Sequence, residues 1–433
     1  MSRVLKRFES VCLLLLVCFL IFSCRVRAEG RDSTTDKRPW PLEAWKNVPS
    51  YRWVNDTAPI RSLLYTNESF NGKPTEVFAF YATPGSLAGN PQLDRNLPAV
   101  VLIHGGGGTA FAEWVQLWAK RGYAAIAMDL SGRQPAAPEF DPDTQELIVV
   151  RDHRKIIRTR LPNGGPEHGH TEKFQNVGGD LSDDWQFHSV AAVMRAHSLL
   201  RNWPEIDRNK TAVTGISWGG YMTCLVASLD DRFQAAVPVY GCGFLYEGES
   251  VQKKQIDSLS QSQREDWINN YDPSAWLPQC RVPILFVNGT NDVHYPLNSY
   301  SRSFDLVPGS KQIRIEVDMR HGHPPGWEPK EIGVFIDHHL LGTEALPTFG
   351  KPVQKGSEVI VQLSSVVPID RVQLHYTTDD GLLSGRKWQS VDAQFQADRN
   401  EVTAKLPDSA TVALLSATDN RGAMVSTEVI FCK

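Results

Sequence analysis

The chain has 433 residues, 41% of them hydrophobic and 22% charged. This ordinary globular composition excludes a disordered, collagenous or disulfide-scaffolded protein and leaves room for two domains with cores of their own. The 45 basic and 49 acidic side chains give a net charge of −4, and loss of residues 1–28, with five basic and one acidic group, takes away four net positive charges and leaves −8. Nothing in that balance favours nucleic acid or an anionic membrane surface as a partner, and a small or neutral substrate is the better expectation.

In chain order, Arg3, Lys6 and Arg7 precede an unbroken apolar run over residues 11–22, and Val26-Arg27-Ala28 offers a small-residue cleavage site. Residues 1–28 therefore read as a signal peptide for export to a periplasmic or extracellular space. A dozen apolar residues fall short of the ~20 that a helix needs to cross a bilayer, so no stable membrane span is expected. An uncleaved signal anchor is one alternative. A lipid anchor on Cys24 is the other, although Phe22 in Ile21-Phe22-Ser23-Cys24 is bulkier than a lipobox prefers.

Residues 29–70, polar with Trp40, Trp45, Tyr51 and Trp53 interleaved, read as a lead-in segment lying on a catalytic domain that spans residues 71–344. A strand is predicted over 76–81, and the continuous apolar run 99–103 is of the kind buried in a parallel sheet. A helix over 111–121 closed by Gly122 and a strand over 124–128 complete a βαβ unit. Residues 131–186, rich in Pro, Gly, Asp and Arg, have no sustained period and read as a lid-like insertion. The alternation then resumes with helices over 187–202, 219–228, 298–306 and 328–341. Strands fall between them over 211–214, 235–239, 283–287 and 313–317. From residue 345 to 433 the pattern becomes short strands, near 358–361, 372–376, 402–406, 412–417 and 425–431, as in a small antiparallel sandwich. The expected fold is a doubly wound, mostly parallel α/β sheet followed by this all-β domain. Beyond the signal the cysteines are Cys224, Cys242, Cys280 and Cys432. None has metal-ligand spacing, and Cys242 and Cys280 either pair or remain buried thiols.

Gly215-Ile216-Ser217-Trp218-Gly219 is a G-x-S-x-G between a predicted strand and a predicted helix, the setting a nucleophile elbow requires. The turn is so tight that glycine must flank the serine. Upstream, His104-Gly105-Gly106-Gly107-Gly108 follows a buried strand, and the N–H groups of Gly105 and Gly106, with that of Trp218, are candidate oxyanion donors. The phosphate-loop pattern G-x-x-x-x-G-K-[ST] does not fit these residues. Asp292, after the strand 283–287, is the candidate acid at a carboxyl edge where open α/β sheets hold their sites. Two histidines follow the strand 313–317. His321 is preferred as the base for its reach, with His323 as the alternate. In that arrangement the base takes the Ser217 proton as the hydroxyl attacks an acyl carbon, and water later cleaves the acyl-enzyme. No metal or organic cofactor is required by this chemistry.

With elbow, glycine loop, acid and histidine in order, the chain resembles the α/β-hydrolase superfamily, and within it the acetyl xylan esterase and prolyl oligopeptidase-like branch. The resemblance rests on residues 215–223 and on Asp231-Arg232-Phe233-Gln234-Ala235-Ala236-Val237 and covers about residues 70–342. It implies a serine hydrolase acting on esters, such as acyl groups on polysaccharides, or on peptide bonds. Prolyl oligopeptidases carry a propeller that the ~70 residues ahead of the first hydrolase strands are too few to build, which favours the esterase. A third reading is a carbohydrate-binding protein on a hydrolase scaffold, with Tyr376 or Trp388 of the terminal sandwich stacking on sugars.

Overall fold

The computed structural model describes residues 40–144 and 146–432. The signal reading, Cys24 included, lies outside them. Among the described residues no helix is long and apolar enough to cross a membrane.

The central feature is a nine-stranded mixed sheet. Its strands are β1 (Tyr51–Asn55), β2 (Arg61–Phe70), β3 (Lys73–Ala82), β4 (Leu97–Ile103) and β5 (Ala124–Met128), then β8 (Ile206–Ile216), β9 (Ala235–Val239), β10 (Ile284–Gly289) and β11 (Lys311–Glu316). Two short strands lie outside it, β6 (Arg133–Pro135) and β7 (Arg158–Arg160), which pair with each other. Across the sheet the order is β1-β2-β3-β5-β4-β8-β9-β10-β11. From β5 to β11 every pairing is parallel, while β1, β2 and β3 add an antiparallel edge. The apolar runs 99–103, 124–128 and 235–239 are buried along their whole lengths, as strands covered on both faces must be. Helices Ala112–Lys120, Trp185–Asn202, Trp218–Leu229 and Lys330–Leu341 make the crossovers and the closing layer.

The lead-in differs from its sequence reading: residues 51–55 and 61–70 are strands of the sheet itself. In β2, Ser62, Leu63, Leu64 and Tyr65 are buried consecutively, which erases the alternation that marks an edge strand. The polar stretch before β10 also carries a helix, Gln261–Tyr271, started by a capping box between Ser260 and Gln263.

Beyond residue 345 two small antiparallel sheets enclose a second core of Val359, Val361, Leu363, Val372, Leu374 and their neighbours. Strand Glu358–Ser364 turns alternate residues inward, as a half-buried strand does. The segment 425–431 is two short strands, Met424–Ser426 and Ile430–Phe431, where a single one was expected. Tyr376 packs against this core and donates its hydroxyl to Gln389, which makes it part of the sandwich's own packing. Cys224, Cys242, Cys280 and Cys432 are free thiols, so Cys242 and Cys280 are not bridged.

Candidate active site

Strand β8 ends at Ile216 and the helix Trp218–Leu229 begins two residues later. The one residue between them, Ser217, sits at φ +59° and ψ −117°, a strained conformation for a residue with a side chain. Its N–H is held by the carbonyl of Val239 at 2.8 Å. The flanking glycines are required by contact: a Cβ on Gly215 would stand 2.2 Å from the Gly219 carbonyl oxygen, and one on Gly219 would stand 2.0 Å from that of Ile103.

The three side chains singled out in the sequence meet at the carboxyl edge of β8, β10 and β11. Ser217 Oγ lies 2.9 Å from His321 Nε2, and His321 Nδ1 lies 2.7 Å from Asp292 Oδ2. Asp292 is buried, and its other oxygen accepts the N–H groups of His294 and Tyr295 at 2.7 and 2.9 Å. With both carboxylate oxygens occupied, the acid is fixed in orientation. The imidazole of His321 is held between Tyr240 and His294, each with ring centroids 4.5 Å away. Its proton assignment follows from these partners: Nδ1 donates to the carboxylate, and Nε2 accepts from the serine hydroxyl.

His323, the alternate base, is elsewhere. Its Nε2 accepts the N–H of Gly105 at 2.9 Å, and its ring packs against Phe111 with centroids 4.7 Å apart. This corrects the reading of the glycine loop, because the Gly105 N–H already has a partner. The N–H of Gly106 has no acceptor among the described residues. That of Trp218 opens a helix, where the first N–H groups lack intrahelical acceptors. These two remain to receive an oxyanion.

Other residues that shape the site had no sequence signal of their own. Arg158, in the irregular stretch, donates to the carbonyls of Gly107 and Gly108 at 3.0 and 2.8 Å. Lys173, almost fully buried, donates to the carbonyls of His168 and Gly169 at 2.5 and 2.7 Å. Its ammonium also lies 4.9 Å from the ring of Trp218 and 5.6 Å from that of Trp185. Burial lowers its pKa to about 8. With His170, Phe174, Trp218, Val251 and Gln252 it lines a small cavity beside the elbow. The irregular stretch thus reaches the residue that follows the serine.

Residues 161–333 match the profile of the prolyl oligopeptidase family. Among solved structures the chain is similar to an acetyl xylan esterase from Paenibacillus sp. R4, at 19% identity over 69% of this chain and 92% of that one (TM-score 0.49). Acetyl xylan esterase 1 from Thermoanaerobacterium sp. JW/SL YS485 is 14% identical over 69% and 94% (TM-score 0.48). An acylaminoacyl peptidase from Pyrococcus horikoshii is 18% identical over 66% of this chain and 42% of its own length (TM-score 0.44).

Proposed function

We propose that this chain, a serine hydrolase of the α/β-hydrolase superfamily on its prolyl oligopeptidase-like branch, is an exported enzyme that cleaves carboxylic esters through Ser217, His321 and Asp292, with acylated polysaccharides as its substrate class. The observation that carries this reading is the continuous hydrogen-bonded line from Ser217 Oγ through His321 to Asp292, at 2.9 and 2.7 Å.

As Ser217 Oγ attacks the acyl carbon, His321 Nε2 takes its proton, and Asp292 holds the imidazole by Nδ1 and stabilises the imidazolium. Negative charge gathers on the former carbonyl oxygen, where the N–H groups of Gly106 and Trp218 meet it; one such donor is worth about 2.7–4 kcal/mol in the transition state. The alkoxide leaving group receives the proton from His321. Water, deprotonated by the same ring, then releases the acid and restores the serine.

The test is turnover of a panel of short acyl esters and acetylated polysaccharides by the wild type and by Ser217→Ala. Hydrolysis by the first and none by a folded second supports the assignment; equal rates from both refute it. A second reading, a serine peptidase, is favoured by the match of residues 161–333 to the prolyl oligopeptidase family. Cleavage of peptide anilides faster than acyl esters by the same preparation decides for it.

A further inference from the structure

The sequence places two histidines two residues apart, and the reaction proposed above uses only His321. His323 is bound to the glycine loop instead. It opens the short helix His323–Trp327, and its ring lies among those of Phe111, His153 and Trp327. The glycine loop is shaped around it: a Cβ on Gly108 would stand 2.7 Å from His323 Nε2, and one on Gly105 would stand 3.2 Å from it and 3.0 Å from Ser217 Cβ.

Gly105 is held on both sides by imidazoles. Its N–H goes to His323 Nε2 at 2.9 Å, and its carbonyl faces His104 Nδ1 at 2.8 Å. His104 Nε2 accepts the N–H of Leu130 at 2.9 Å, so the His104 proton resides on Nδ1 and is donated to the Gly105 carbonyl. That carbonyl also accepts the N–H of Gly108 at 3.0 Å. A trans peptide is planar and its N–H points away from its C=O. Fixing the Gly105 carbonyl toward His104 and Gly108 therefore turns the Gly106 N–H the opposite way, and fixing the Gly105 N–H sets the torsion between the two planes.

Resting on the proposed serine mechanism, we propose that His323 is a positioning residue for the oxyanion donors: by accepting the Gly105 N–H it takes that group out of the oxyanion site and fixes the His104–Gly105 peptide plane, against which the following peptide presents the Gly106 N–H. The role demands a neutral ring, because a protonated Nε2 would set donor against donor. Burial lowers the pKa of His323 to about 3, and the neighbouring His104, His153, His321 and Arg158 act in the same direction.

The experiment compares wild type, His323→Phe, His323→Gln and Ser217→Ala on one short acyl ester, with a boronic acid as the transition-state analogue. Phe keeps the packing and removes the acceptor; Gln restores an acceptor oxygen. For His323→Phe the expected result is kcat lowered about 10²-fold, the lower range for a lost oxyanion donor, with KM within twofold and boronate affinity weakened in proportion. His323→Gln should recover most of the rate. Wild-type kcat and boronate affinity in a folded His323→Phe would overturn the proposal, as would a loss as complete as that of Ser217→Ala. Nitrogen NMR of the wild type gives a readout independent of folding of the variants: His323 should remain one neutral tautomer, protonated on Nδ1, from pH 8 to 5, and a protonated ring would overturn the proposal. An inactive wild type would instead count against the esterase reading, so the two failures are distinguishable.

Discussion

Asn291, the residue before the candidate acid, donates its side-chain amide to the carbonyls of Arg386 and Ser384, at 2.7 and 3.0 Å. Both acceptors belong to the C-terminal sandwich. From the other side the N–H of Leu383 is held by Glu249 at 2.8 Å. The loop carrying Asp292 is thus braced by the all-β domain. Asn291→Ala is expected to lower kcat on a short acyl ester about tenfold and stability by about 1 kcal/mol, the usual net contribution of hydrogen bonds between partly buried groups. Kinetics and urea unfolding of the variant check both parts.

Asp292→Asn keeps the size of the side chain and removes the charge that orients His321 Nδ1–H. Its expected effect is a fall in kcat of about 10⁴-fold with the fold intact. Steady-state rates beside a circular dichroism spectrum separate this outcome from unfolding.

The elbow glycines offer a contrast with the loop. Gly219→Ala would drive a methyl to 2.0 Å from the Ile103 carbonyl oxygen and should cost about 3 kcal/mol or more, the upper range for overpacking. Gly107 has φ +71° and open space where its Cβ would lie, so Gly107→Ala should cost only the ~1–2 kcal/mol of placing a side chain in the left-handed region. Urea midpoints of the two variants should differ in that order.

Two buried histidines make stability fall in acid. Burial is the largest cause in each, lowering His197 to about 4 and His323 to about 3. Both lie below the value of about 6.5 in an unfolded chain. The unfolded state therefore binds more protons as pH drops from about 6.5 toward 4, and the stability present above that window is lost on the way down. Each contributes a slope of about 1.4 kcal/mol per pH unit within it. Urea unfolding between pH 7 and 4.5 should show the decline, and His323→Gln should reduce its slope by the share of one histidine.

The parts of the fold legible in the sequence are those where one physical signal dominates. The runs 99–103, 124–128 and 235–239 are buried strands because nothing in them tolerates water. Gly215 and Gly219 mark the elbow because only glycine fits there. Strand β1 was not legible because it is short and largely exposed, and its aromatic face, Tyr51 and Trp53, finds its partner Trp203 about 150 residues away. What separates His321 from His323 is tertiary geometry: after β11 the chain turns through Asp318 at φ +57°, and the partners of the two rings, Asp292 and Gly105, are distant in sequence. The glycine loop looked like a supply of two donors for the same reason, since the group that occupies Gly105 lies 218 residues away.

Covalent labelling tests the central claim most directly. A fluorophosphonate added to the full chain should raise its mass by one phosphonyl group, with the adduct mapped by peptide mass spectrometry to Ser217 and missing from Ser217→Ala. An unmodified Ser217 in a folded chain, or an adduct on another residue, would contradict it.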